Sequence, residues 1–366
     1  MSTIKHNWTR EEILAIYNKP LMELLYEAAT VHRENHDPNL VQVSTLLSIK
    51  TGGCPEDCGY CPQAARYHTD IEGNDLMSVQ QVKAQALQAK SGGCSRVCMG
   101  ASWRNVKDGE DFDQVLEMVR TINKLDMEVC CTLGMITENQ AKRLAEAGLY
   151  AYNHNLDTSE EYYKEVISTR GYEDRIQTIE NVRKTNITVC SGGIIGMGEA
   201  VEDRAGMLVS LSTFNPHPES VPINALVPVE GTPMEEQQVV EIWEMIRMVA
   251  TARIVMPETQ VRLSAGRTEM SQEGQAMCFF AGANSIFAGN KLLTTPNPDV
   301  DEDMKMFETL GLVPSKPFIN IMKKPETVEA EDSQYKDLGE KPRWTRPEHT
   351  IERNEEAKAK GKATAE

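Results

Sequence analysis

From residue 41 onward, short runs rich in β-branched residues alternate with longer amphipathic stretches. Eight runs stand out: VQVSTLLSI (41–49), RVCMG (96–100), EVCCTLG (128–134), AYNHNLD (151–157), TVCSGGII (188–195), VPINALV (221–227), QVRLSAG (260–266) and NSIFAG (284–289). Between them, segments such as Ser78 to Lys90 and Phe112 to Lys124 carry a helical period. Repeated βα units predict a parallel sheet. Eight of them predict an α/β fold of the closed (β/α)8 TIM type, with an open Rossmann-like sheet as the competing arrangement. Residues 1–40 read as an N-terminal extension of two helices, the first opened by a capping box from Thr9 to Glu12 and the two separated by Asn18-Lys19-Pro20. The barrel is expected over 41–322. Residues 323–366 are polar and nearly free of aliphatic side chains, so a disordered tail is expected there.

Side chains alternate across a strand, so one parity of each run faces the helices and the other faces the barrel interior. In EVCCTLG the apolar set Val129, Cys131 and Leu133 suits the helices, which sends Cys130 and Thr132 inward. By the same reading Cys190, Arg262, Ser264, Asn224 and Ser44 point inward, and Cys98 lies on the second strand. In YNHNLD, Asn153, Asn155 and Asp157 point inward while His154 and Leu156 point out, His154 as a packed, hydrogen-bonded histidine. A barrel interior is ordinarily filled with Val, Ile and Leu. A buried neutral polar group without a partner costs about 2–7 kcal/mol, so these residues predict that something polar or metallic occupies the interior.

The first strand is followed by CPEDCGYC, residues 54 to 61, where a barrel places its active-site loops. Cys54, Cys58 and Cys61 have the spacing C-x3-C-x2-C, and no second CxxC or HxxxH pair is nearby to complete a zinc site. Iron fits better, because three thiolates can hold three irons of a four-iron cubane and leave the fourth open to another molecule.

Composition narrows the partners. The 366 residues carry 38 Lys plus Arg against 55 Asp plus Glu, a net charge of -17, which argues against nucleic acid and anionic membrane as partners. The opening MSTIKHNWTREE lacks a signal-peptide pattern and no apolar run approaches the roughly 18 residues of a membrane span, so a cytoplasmic protein is expected. In a reducing compartment nine cysteines read as ligands, catalytic thiols or core residues rather than disulfides.

CPEDCGYC, with Tyr60 before its last cysteine, resembles the cluster motif of the radical S-adenosylmethionine (SAM) superfamily. VQVSTLLSIKTGGCPEDCGYCPQ, RVCMGASWRN, YNHNLDTS, VCSGGIIGMGE, ESVPIN, VRLSAGR and AMCFFAGANSIF together resemble the biotin synthase family over roughly residues 40 to 315. The resemblance implies that Cys54, Cys58 and Cys61 hold a [4Fe-4S] cluster whose open iron chelates S-adenosyl-L-methionine, and that one electron cleaves the sulfonium to a 5'-deoxyadenosyl radical. It implies that Cys98, Cys130, Cys190 and Arg262 ligate a [2Fe-2S] cluster that gives up a sulfide. The residues alone would make Arg262 a counter-ion to thiolates, since a protonated guanidinium has no free lone pair. Implied with it is insertion of sulfur between carbons C6 and C9 of dethiobiotin by two hydrogen abstractions.

GGIIGMGE, residues 192 to 199, lacks Rossmann spacing; in the family it resembles the loop that meets the adenine of SAM, which implies roles for Gly193, Gly196 and Glu199. The resemblance places Asp157 at the ribose, Asn155 at ribose and substrate, Arg175 at the SAM carboxylate, Asn224 at the cyclic urea of dethiobiotin, and Thr294 and Thr295 at its carboxylate. It implies a homodimer and an electron donor such as flavodoxin. Cys94, Cys131 and Cys278 are expected not to ligate. The competing functions are another radical SAM enzyme, a mutase or maturase, and a non-catalytic iron-sulfur carrier.

Overall fold

All eight expected strands form and close on themselves. The computed structural model describes residues 4–289 and 291–317, so the stretch expected to be a disordered tail lies outside the described residues. Two helices come first, α1 (Arg10–Tyr17) and α2 (Leu21–Asn35). Thr9 caps α1 through the Glu12 amide while the Glu12 carboxylate returns to the Thr9 amide. The two helices lie against the outside of the barrel, where Trp8 Nε1 donates to Val255 O at 3.2 Å and the Tyr17 hydroxyl donates to Glu244 at 2.8 Å.

The barrel begins with β1 (Leu40–Lys50), α3 (Val79–Ser91), β2 (Arg96–Ala101), α4 (Glu110–Asn123), β3 (Glu128–Thr132), α5 (Glu138–Glu146) and β4 (Ala151–Asn153). It continues through α6 (Tyr163–Val166), α7 (Tyr172–Arg183), β5 (Thr188–Cys190), β6 (Gly193–Ile195), α8 (Val201–Thr213), β7 (Ser220–Ala225), α9 (Ile242–Val255), β8 (Gln260–Leu263), α10 (Gln272–Phe280) and β9 (Ser285–Phe287). Parallel pairing runs β1-β2-β3-β4-β5-β7-β8-β9 and closes through Gln42–Ser285, Val43–Ile286 and Ser44–Phe287. A β10 (Lys291–Leu292) and β11 (Thr295–Pro296) hairpin, α11 (Val300–Leu310) and a short β12 (Val313–Pro314) beside the start of β1 follow. Among the described residues no helix is long and apolar enough to cross a membrane.

The runs 260–266 and 284–289 are strands only over Gln260–Leu263 and Ser285–Phe287, and two others differ further from expectation. The run 151–157 is a strand only to Asn153, and 188–195 divides into β5 and β6. The division falls opposite Pro222, which has no N–H for the ladder, at a point where a Cβ on Gly192 would sit 2.1 Å from the Pro222 carbonyl oxygen. Only glycine fits that approach.

Helix-facing positions Val43, Val97, Val129, Cys131, Val221, Ile223, Val261, Leu263 and Ile286 are buried in one continuous apolar core. A separate small cluster, Cys98, Cys130, Tyr150, Ala151, Phe287 and Leu292, fills part of the interior. The alternation therefore sorts adjacent Cys130 and Cys131 onto opposite faces.

Candidate functional site

A cavity of about 320 Å3 opens at the C-terminal ends of the strands, and its wall includes Cys54, Cys58 and Cys61 from the loop after β1 together with Cys98, Cys130 and Arg262 from the strands. That is the active-site end of such a barrel.

Two acidic residues inside the loop itself fasten it. Asp57 accepts from the Ser168 and Thr169 amides at 2.9 and 3.0 Å and from both hydroxyls, and Thr169 also donates to Glu56. Burial pushes the Asp57 carboxyl up, but these donors outweigh it and hold it well below the usual carboxylate range. The Gly59 amide donates to Val166 O at 2.9 Å, so the loop is tied to the end of α6 and the segment after it at several points. Burial pushes the thiols of Cys58 and Cys61 up to about 11 and 12, and that of Cys54 up as well. All nine cysteines are free. Among the described residues no three His, Cys, Asp or Glu side chains converge on a single-ion site; cluster thiolates each bind a different iron and have no need to converge.

Deeper in the barrel, Cys98 and Cys130 are register partners on β2 and β3. The Cys130 thiol donates to Cys98, which together with Arg262 and Arg96 pulls Cys98 down and leaves Cys130 well above its ordinary value. Cys190 lies 4.0 Å from Arg262 Nη1 and accepts from Asn153 Nδ2 at 3.2 Å. Among the described residues Arg262 meets no carboxylate: its Nε donates to Ser285 Oγ at 2.8 Å, its Nη2 to Gln42 Oε1 at 2.9 Å, and the guanidinium stacks on Phe287 at 4.6 Å. Three thiols thus share a buried region with a cation that no carboxylate neutralises among the described residues.

The wall between these groups is polar. Asn155 Oδ1 accepts from Asn153 Nδ2 at 3.1 Å and from the Gly192 amide at 3.2 Å. Asp157, held at φ 69° in the left-handed region, accepts from the Tyr60 hydroxyl at 2.7 Å and pairs with Arg175. Asn224 bridges two strands, donating to Gly193 O at 2.9 Å and accepting from the Ala265 amide at 3.2 Å, which leaves one N–H. Thr294 and Thr295 line the same cavity, with Thr295 Oγ1 donating to Leu292 O at 3.2 Å.

The remaining candidate residues have these neighbours. Arg175, expected at a ligand carboxylate, has its guanidinium committed to Asp157, the Tyr163 hydroxyl at 2.7 Å and Asn155 O at 2.5 Å. Glu199, expected at a cofactor, turns onto its own loop, accepting from the Gly196 and Met197 amides at 2.9 and 2.7 Å and pairing with Arg204 Nε at 2.7 Å. Gly196, at φ 94°, aims its amide at that carboxylate; neither it nor Gly193 reaches the cavity wall, whereas Ile194 does. His154, expected to point outward and be hydrogen-bonded, lines the cavity with Nε2 buried and unpartnered; β4 ends one residue earlier, so strand parity no longer applies to it. Burial and the nearby Arg175 and Arg170 keep it well below the usual histidine range. Cys131 and Cys278 are buried in the apolar core, and Cys94 lies at a different cavity, beyond β1. Sequence reasoning missed Arg170, at the wall beside Cys58, and the Gln42 and Ser285 supports of Arg262. The paired acids of CPEDC were the available signal for the clamp.

Comparison with known proteins agrees with this geometry. The radical SAM superfamily matches residues 48–211, and the Biotin and Thiamin Synthesis associated domain matches residues 222–313. The biotin synthase of Flavobacterium johnsoniae is 84% identical over 98% of this chain and 99% of its own length. That of Flavobacterium psychrophilum is 83% identical over 99% of this chain and 100% of its own. The mitochondrial biotin synthase of Arabidopsis thaliana is 58% identical over 86% of this chain and 83% of its own. Two solved structures share the fold at low identity. A methylornithine synthase has a TM-score of 0.70 at 18% identity, over 84% of this chain and 94% of its own. The [FeFe]-hydrogenase maturase of Carboxydothermus hydrogenoformans has 0.73 at 17%, over 91% and 81%.

Proposed function

Because the chain belongs to the biotin synthase family of radical SAM enzymes, we propose that this cavity is where its dethiobiotin is converted to biotin and that its residues divide between two clusters and two substrates. The chain is a sulfur-transferring enzyme that uses SAM and iron-sulfur chemistry. The observation that carries the assignment is that one cavity unites the Cys54, Cys58 and Cys61 loop with Cys98, Cys130 and Arg262.

Both donor sets suit iron and sulfide. The loop thiols are unpaired and held by a rigid clamp, and the interior thiols sit with a cation that lacks a carboxylate. Cys54, Cys58 and Cys61 would hold a [4Fe-4S] cluster, and Cys98, Cys130, Cys190 and Arg262 a [2Fe-2S] cluster. When bound, these groups supply an electron for reductive cleavage of SAM and a sulfide for the product. The remaining work belongs to the protein. Asp157 and Asn155 orient ribose hydroxyls, Arg175 with Tyr60 fixes Asp157, and Arg175, which also lines the cavity, serves the SAM carboxylate with its remaining N–H donors. The free N–H of Asn224 serves the substrate's urea, and Thr294 and Thr295 its carboxylate. Gly193, Gly196 and Glu199 shape the loop that brings Ile194 to the adenine. Burial excludes water and solvent thiols that would quench a carbon radical. We further propose a flavodoxin-type donor, a homodimer and a cytoplasmic location.

The test is anaerobic incubation of the iron-reconstituted enzyme with reductant and SAM, with and without dethiobiotin. The expected result is methionine and 5'-deoxyadenosine formation stimulated by dethiobiotin, with biotin detected by mass spectrometry. Cleavage of SAM that dethiobiotin leaves unchanged, with no biotin, would reassign the substrate; no cleavage at all by a cluster-loaded protein would favour a carrier.

A further inference from the structure

Four arginines surround the loop that carries Cys54, Cys58 and Cys61, and three of them meet a carboxylate. Arg66 Nη1 lies 3.3 Å from Asp57 Oδ2, Arg104 Nε lies 3.5 Å from Glu56 Oε1, and Arg175 pairs with Asp157. Arg170 meets none among the described residues. Its Nη2 faces Cys58 Sγ at 4.0 Å, and its Nε is buried without a partner at the wall of the cavity. Burying a guanidinium is costly unless its N–H groups find acceptors; Nε finds none, and the acceptor that Nη2 faces is a cluster-ligand sulfur.

Its placement is fixed rather than incidental. Ser168 and Thr169, immediately before it, give their amides and hydroxyls to Asp57, and Thr169 also donates to Glu56. Those two acids lie between Cys54 and Cys58 in the chain. The backbone leading into Arg170 is therefore tied to the cysteine loop at several points.

We propose that Arg170 is a positioning residue that sets the reduction potential of the cluster held by this loop, a role that rests on the reading of the loop as a [4Fe-4S] site. Reduction adds one electron to the cluster from a one-electron donor, which is oxidised in turn; no bond forms or breaks and no proton is required. The added negative charge spreads over the sulfurs, so a cationic N–H donor at Cys58 stabilises the reduced form more than the oxidised one. Hydrogen bonds to sulfur and local charge are among the levers that set such potentials. With the other three arginines neutralised by carboxylates, Arg170 is the one of the four whose positive charge is uncompensated at Cys58; Lys50, which donates to Gly52 O and Ser102 Oγ, lies nearer Cys54.

The experiment is a redox titration of reconstituted enzyme without SAM, followed by electron paramagnetic resonance, with iron and sulfide counted in the same samples. Arg170→Met removes charge and donors, Arg170→Gln removes the charge and keeps two N–H donors on a shorter side chain, and Arg170→Lys keeps the charge. The expected result is a roughly tenfold fall in the one-electron reduction constant for Arg170→Met, which is 59 mV for a one-electron couple, a smaller fall for Arg170→Gln, and a value nearer wild type for Arg170→Lys. If Arg170→Met fails to hold iron, Arg170→Gln against Arg170→Lys decides the matter. Equal potentials at equal iron content would overturn the proposal. So would unchanged potentials accompanied by a raised KM for SAM, which would make Arg170 a ligand-binding residue. Absence of a four-iron signal in the wild type would overturn the reading of the loop instead, and so is distinguishable.

Discussion

Replacing Asp157 by asparagine isolates one charge at the centre of the site. Asp157 is 2% exposed at φ 69°, and asparagine adopts that conformation readily and matches its volume, so backbone and packing costs are small. An asparagine oxygen can still accept from the Tyr60 hydroxyl. What is lost is the carboxylate facing Arg175, whose side chain is 4% exposed. Removing one partner of a buried pair costs about 3–5 kcal/mol. The low end is expected, because Tyr163 and Asn155 O still accept from the guanidinium. At roughly 2 °C per kcal/mol for a barrel of this size, the metal-free protein should melt about 6 °C lower. The assay is a double-mutant cycle with Arg175→Met in anaerobic urea unfolding. The two single losses should exceed the double-mutant loss by about 2 kcal/mol, within the range for contacting residues. A loss under about 1 kcal/mol for Asp157→Asn, additive with Arg175→Met, would refute the claim that Arg175 holds Asp157.

Cys130→Ala and Cys131→Ala change adjacent residues with opposite consequences: the first should remove iron and the [2Fe-2S] absorbance, the second only about 1–2 kcal/mol of stability, and iron analysis tells them apart. Asp57→Asn releases the clamp on the cysteine loop, so the cluster should be lost to a chelator several-fold faster, as followed by absorbance; an unchanged rate would deny the clamp its role. Burial pushes His32 down to about 3, and His36 and His217 to about 4, with Arg253 beside the first two and His6 beside the third. Because these folded-state values lie below the unfolded value near 6.5, the unfolded chain takes up protons first. The stability is therefore complete above about pH 6.5 and lost as the pH falls toward 4, at up to about 1.4 kcal/mol per pH unit for His32 and less for the half-buried pair. Urea midpoints between pH 7.5 and 5 should show the slope, flattened in His36→Gln; parallel curves would contradict it.

What the sequence made legible follows from the physics of each signal. Period-two alternation is local, so it separated Cys130 from Cys131 and aimed Arg262 inward. The Thr9 to Glu12 capping box is equally local and marks the start of α1 correctly. Alternation failed at His154 because the strand stops at Asn153, and beyond a strand's end parity predicts nothing. The β5–β6 division depends on Pro222 meeting Gly192 from a distant part of the chain. The state of Arg175 was equally hidden, since Asp157 lies past the end of β4 and Tyr163 on α6, and only the folded barrel shows that both meet its guanidinium. Gln42 and Ser285 support Arg262 from strands that meet only at the barrel's closure.

The most direct test of the central claim, that one cavity brings radical generation and a sulfur source together, is an anaerobic single turnover with dethiobiotin, SAM and a reduced flavodoxin-type donor, with biotin and the [2Fe-2S] absorbance followed in the same sample. Biotin should appear in step with the decay of that absorbance. Biotin formed at full yield while the absorbance stays constant would contradict the assignment of Cys98, Cys130, Cys190 and Arg262 as the seat of the sulfur that is transferred.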